Sequence, residues 1–241
     1  METIHRHSKT TSHFSLQYLL AGSWMPERTK TIEFEKSLLD NGLDFAETHL
    51  QDKAFILSRS QPSPLQIKLE TPGQQVMTIT VISQNPQYDL EMFCRDTQAI
   101  TQAFEKTWPS EHYQLLTATG KIHHLYSSSV HAFKYLWEDR LGQLPQDFVV
   151  LGSRPVAGGG LRLLIPPHSV DGSEPVSIEL RIESFLRETN KLFVETIFTW
   201  PRPRIVNKMA GFGAQQQMEQ IENFAANEVW AFITHTRNPQ A

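Results

Sequence analysis

Residues 161–200, LRLLIPPHSVDGSEPVSIELRIESFLRETNKLFVETIFTW, decide the fold class. In Val176, Ile178, Leu180 and Ile182 the apolar side chains fall on every second position, with Ser177, Glu179, Arg181 and Glu183 between them. That is the period of a strand with one wet face. Leu192, Val194, Thr196, Phe198 and Trp200 repeat the alternation, while Phe193 and Ile197 partly fill the second face and place this strand nearer the sheet centre. Before both, Leu161, Leu163 and Ile165 alternate with Arg162 and Leu164 until Pro166-Pro167, neither of which can donate a ladder hydrogen bond. Three strands joined by links too short for a crossover helix must be antiparallel. Their apolar face needs a cover. Met218, Ile221, Ala225, Val229 and Phe232 recur at helical spacing with Phe224 beside the stripe, which predicts a helix from about Ala214 to Phe232.

The same arrangement occurs upstream. Leu65, Ile67 and Leu69 alternate with polar residues, Pro72-Gly73 marks a turn, and Met77, Ile79 and Val81 alternate again. Asp89 is then placed as the N-cap of a helix carrying Leu90, Phe93, Ile100, Phe104 and Trp108 on one side and ended by Pro109. The expected fold is α+β, with an antiparallel sheet or sheets covered by two long helices. A duplicated strand-strand-helix unit is a candidate, Pro64 to Trp108 matching Gly160 to Phe232, although residue identity between the two is slight. Elsewhere the pattern predicts strands at Phe14 to Leu20, Thr31 to Lys36 and Ala54 to Ser58, and an extended stretch from Leu115 to Tyr126. Val130 to Leu141 reads as a short helix stopped by Gly142. The expected organisation is a flexible terminus over residues 1–12, a first half over 13–142, and a second half over 143–236 packed with the first as one body.

The chain has 241 residues, 39% of them hydrophobic and 20% charged, enough for a sizeable core. A net charge of −4 and a pI near 6.2 argue against a nucleic-acid or anionic-membrane binder, whose footprint is a basic excess. No apolar run approaches the roughly 20 residues of a spanning helix. Phe14 to Trp24, behind Arg6 and Lys9, comes nearest to a secretory leader, but Gln17 and the serines dilute it and its alternation is that of a strand. Cys94 has no second cysteine to pair with, so the expected compartment is the reducing cytoplasm.

None of H-E-x-x-H, C-x-x-C, G-x-x-x-x-G-K-[ST], G-x-G-x-x-G or G-x-S-x-G occurs, so no catalytic residue, cofactor or metal site is assigned. His5, His7 and His13 lack a fourth ligand in the local sequence. His123, His124 and His131 surround Ser127, Ser128 and Ser129, which strand alternation and a helix cap explain as well as nucleophilic chemistry does. Cys94 near a helix start would have a lowered pKa if exposed, yet a small buried side chain is the better reading.

Two segments are candidates for anion binding. In the first, Gly158, Gly159 and Gly160 lie between Arg154 and Arg162, so that backbone amides sit between two cations. In the second, Arg202, Arg204 and Lys208 precede Gly211-Phe212-Gly213 at the start of the last helix, where guanidinium groups and a helix N-terminus would suit a phosphate or carboxylate. Each also has a structural reading, as a loop or bulge entering a strand and as a solvated basic link.

Trp137-Glu138-Asp139-Arg140-Leu141-Gly142 and Arg181-Ile182-Glu183-Ser184-Phe185-Leu186 set charge beside large apolar residues, as anchors within a fold or to a partner often do. With these and Lys191-Leu192-Phe193-Val194-Glu195, the stretch from 145 to 236 resembles bacterial hypothetical proteins of no assigned function. The resemblance implies bacterial origin, and neither an activity nor a site residue. The expected function is a non-enzymatic binding or assembly module with a protein partner or self-association. The alternative is an enzyme or sensor for a small anionic ligand.

Overall fold

The computed structural model describes residues 3–22, 27–73, 75–110, 112–152, 154–168, 175–201, 204–207 and 212–235. Ten strands form one antiparallel sheet: β1 (Thr10–Ala21), β2 (Glu47–Gln51), β3 (Ala54–Arg59), β4 (Leu65–Gly73), β5 (Val76–Gln84), β6 (His112–Ser127), β7 (Gly160–His168), β8 (Val176–Ser184), β9 (Lys191–Trp200) and β10 (Arg204–Asn207). Their order is β2-β3-β4-β5-β1-β6-β9-β8-β7. β6 pairs with β9 over Ala118 to Ser127 and with β10 over His112 to Leu115, so β9 and β10 share one lane of the sheet. The β1–β6 pair forms a seam, and the strands on either side of it follow the same sequence outwards, β5-β4-β3 against β9-β8-β7.

Because side chains alternate across a strand, the register assigns each residue to a face. Leu16 stands between Val81 and Gly120, and Tyr18 between Ile79 and Ala118, all on the face the helices cover. The helices are α1 (Arg28–Asp40), α2 (Leu90–Thr107), α3 (Ala132–Lys134, continued as π-helical turns over Tyr135–Arg140), α4 (Ala214–Phe224), π-helical turns over Ala225–Val229, and α5 (Trp230–Thr234). The cover is thus shared among five helices of unequal length, where two long ones were expected.

Two expectations are corrected. Thr31 to Lys36 is helical: Thr31, Phe34 and Leu38 are buried at helical spacing, while Ile32 is 56% exposed. Residues 3–12 are docked: Ile4 is buried and bridges Ser128, and Arg6 Nη2 donates to Ala226 O at 2.7 Å. The predicted hairpin, the Asp89 cap and the Gly142 stop are all present, Gly142 with φ of 70°. The last helix also forms, but its π-helical turns shift the inward stripe, so that Val229 and Ile233 are buried and Phe232 only partly so.

α4 sits very close to the sheet. A Cβ on Gly120 would lie 2.5 Å from Ile221 Cδ1, so glycine at this point of β6 lets Ile221 seat directly against the strand. Ala214, Gln217, Met218 and Ile221 form its buried face. Gln217 is thus a polar residue on an apolar stripe.

Candidate functional site

A groove of about 580 Å³ runs along α4 where β8 begins and β9 ends. Val176 and Ile178 of β8 and Phe198 and Trp200 of β9 form its apolar side, and Gln216, Gln217, Gln220, Asn223 and Phe224 line it from the helix. Ile178 and Phe224 had been expected in the core. They are only partly buried because they border this groove.

Gln217 is 5% exposed, and neither Oε1 nor Nε2 has a hydrogen-bond partner among the described residues. Buried polar groups are nearly always satisfied, because an unpaired amide loses its water bonds without replacement. At the N-terminal end of α4, Gly213 is the N-cap with φ of 79°, and it brings no side chain to accept from the first-turn amides. Arg204 of β10 lines the same end: Nη2 donates to Phe212 O at 3.0 Å and stands 3.5 Å from the Cβ position of Gly213. A guanidinium beside the positive end of a helix is a setting for an anion. Glu219 and Glu228 also line the groove, Glu219 accepting from Gln215 Nε2 at 2.8 Å. The chemistry on offer is an apolar wall, a row of carboxamides and one cationic end.

The structure brings Arg204 and Gly213 together, whereas Arg202, Lys208 and Gly211 lie outside the described residues. In the other candidate, Gly159 N donates to Ser184 Oγ at 3.1 Å, and Gly159 O accepts from Ser184 N at 3.0 Å. Side chains at Gly158 and Gly160 would collide with Leu186 and with Ile182 O, so these glycines let the chain close onto the end of β8. Arg162 holds Glu179 with two bonds of 2.7 and 3.0 Å on the open face of the sheet. Arg154 lies apart from it, lining a smaller hollow with Lys134, Phe133 and Phe148.

The histidines have separate partners. His123 Nε2 meets Glu195 Oε2 at 2.7 Å, and this bond holds the Glu195 carboxyl down at about 2. His13 stacks on His123 at 4.4 Å, and burial lowers its pKa to about 4. Arg162, Arg181, Glu195, His123 and His13 are successive cross-strand neighbours, a ladder of polar side chains over five strands. On the helix side, His124 Nε2 lies 3.1 Å from Glu222 Oε2. Burial alone would raise the Glu222 pKa, but His124 and Lys9 hold it below the carboxylate range. His131 Nδ1 accepts from Phe133 N as the cap of α3. Cys94 is buried, which pushes its thiol up to about 12, and it is no nucleophile at neutral pH.

Among the described residues, no three or more His, Cys, Asp or Glu side chains gather into a metal-binding group, and no helix is long and apolar enough to cross a membrane. Arg140 anchors α3 within the fold: Nε donates to Phe232 O at 2.9 Å, and the guanidinium lies 4.8 Å from the Phe232 ring.

No protein-family model and no curated protein sequence matches the chain. The carboxamides of the groove are absent from the sequence-based candidates. Their one signal is Gln217, which occupies a place on the stripe Ala214, Met218, Ile221 that an apolar residue would fill.

Proposed function

We propose that the chain is a non-enzymatic binding module whose ligand lies in the groove beside α4. The observation that carries this reading is Gln217, a buried carboxamide unpaired at both ends and lining an open groove with aromatic residues. Leaving such a group unpaired costs roughly 1–3 kcal/mol, which a ligand amide offsets at both atoms and a carboxylate at Nε2 alone. Arg204 beside Gly213 gives the ligand an anionic end, and Ile178, Phe198 and Trp200 give it an apolar flank. A second reading, a sensor or enzyme for a small anion, draws on the same Arg204, but such an anion would leave the apolar flank unused. The lone buried cysteine supports the cytoplasm as its compartment.

We further propose that the two halves are a duplicated unit, larger than the pairing read from Pro64 to Trp108. β1 to α2 and β6 to α4 both run strand, helix, strands, helix, and mirror each other in the sheet.

The groove reading is tested by titrating decanoate into ¹⁵N-labelled protein. The Gln217 side-chain amide and Trp200 indole resonances should shift, and a Val176→Trp variant with a filled groove should show neither shift. No change at either resonance with saturating decanoate, and none with an apolar peptide, would remove the groove as a ligand site.

A further inference from the structure

We infer that the occupant of this groove is an extended, apolar peptide segment ending in a free carboxylate. The inference rests on the groove being the ligand site, and it follows from what Gln217 lacks. Both its donor and its acceptor are unpaired. A fatty acid or an inorganic anion accepts hydrogen bonds only, and would satisfy Nε2 while leaving Oε1 buried and empty. A peptide group presents an N–H and a C=O together, and so matches both ends of a carboxamide.

The spacing fits the same occupant. Gly213 and Gln217 are four residues apart on a helix, about 6 Å of rise. An extended peptide advances about 3.3 Å per residue, so a carboxylate at the Arg204 corner places its second residue back beside Gln217. Gln220 and Asn223 continue along the groove at one-turn intervals, and can read further main-chain groups without regard to sequence. Across from them Val176, Ile178, Phe198 and Trp200 offer an apolar wall for every second side chain. The carboxylate itself meets the Arg204 guanidinium and the uncapped first turn of α4. A neutral oligosaccharide would also engage amides and aromatic rings, but has nothing for that cationic corner.

The experiment compares acetyl-Ala-Leu-Ala-Val-Phe as free acid with its C-terminal carboxamide, alongside decanoate and maltohexaose, by calorimetry and the Gln217 side-chain resonance. The free acid should bind at least tenfold more tightly than the carboxamide. Gln217→Leu should weaken the peptide at least tenfold while decanoate binding persists. Equal affinity of acid and carboxamide would overturn the terminal carboxylate, and binding of maltohexaose in place of peptide would overturn the peptide. Decanoate binding with neither peptide bound would end this inference and leave the groove standing. Silence of the Gln217 resonance towards every probe would end both.

Discussion

The helix α2 against β1 and the helix α4 against β6 and β9 pack on the two sides of the β1–β6 seam, but their ends and grooves are finished differently. At the start of α2, Asp89 accepts from Met92 N at 2.9 Å, whereas α4 starts at Gly213 with no side-chain cap. Two turns into α2, Asp96 meets Arg59 of β3 at 2.6 Å with side chains 10% and 6% exposed. One turn into α4, neither amide atom of Gln217 has a hydrogen-bond partner among the described residues, and the groove lies open along the helix. The first half closes one buried charged pair internally, although Arg59 Nε and the hydroxyls of Tyr18, Ser37 and Thr78 have no hydrogen-bond partner among the described residues. Beside α4 an uncapped helix start, an unpaired amide and an aromatic wall border one open groove, and the proposed ligand site lies there.

The ion pair of the closed half gives the largest expected effect. Burial raises the Asp96 pKa against the pull of Arg59, so the pair is held in a costly place and depends on both members. Asp96→Ala leaves the Arg59 charge buried and should destabilise the protein by about 3–5 kcal/mol in chemical denaturation. A loss below about 1 kcal/mol would mean that this half is not closed by the pair. The aromatic residues sharpen the same contrast. Phe104 is 1% exposed and its truncation to alanine should cost about 3–5 kcal/mol, whereas Phe224 borders the groove and Phe224→Ala should cost about half as much. Equal losses would show Phe224 to be an ordinary core residue.

Much of this architecture was legible in the residues themselves. Alternation at Val176 to Ile182 and at Leu65 to Leu69 specifies strands because one face of an antiparallel sheet is wet, and here the face opposite the helices is. It failed at Thr31 to Lys36, where too few residues separate a period of two from one of 3.6, and Phe34 with Leu38 was the pair that mattered. The long-range order of strands, β5 and β9 flanking the β1–β6 seam, has no local signal. The anion corner was half legible, in Arg204 and Gly213. Gln217 was not, since an unpaired buried amide is a property of what lies across from it, and that is set by Ile178, Phe198 and Trp200 on distant strands.

The open half should improve when its unsatisfied group is removed. Gln217→Leu keeps the shape of the side chain and deletes two buried polar atoms without partners among the described residues, so it should raise stability by about 1–2 kcal/mol while weakening peptide binding at least tenfold. A destabilised variant would show that the amide has a partner in the folded protein, and the contrast with Asp96 would collapse.

The smallest effects lie on the open face of the sheet, where the ladder from His13 on β1 to Glu195 on β9 crosses the seam between the halves. His13 faces His123, Lys121 and Glu195, and its folded pKa of about 4 lies below the ordinary 6.5. Between those values the unfolded chain takes up a proton that the folded chain refuses, so acidification through pH 6.5 to 4 lowers stability. Glu195 titrates lower: with a folded pKa of about 2 against 4.5, its contribution is complete above pH 4.5 and is lost as the pH falls towards 2. Both groups are partly screened by solvent, so each step should amount to about 1 kcal/mol in denaturant midpoints measured against pH. His13→Asn should flatten the upper step alone and Glu195→Gln the lower step alone. If His13→Asn also removed the step below pH 4.5, the ladder would titrate as one unit across the seam, and the two halves would be coupled on the face that has no helices as well as through the sheet itself.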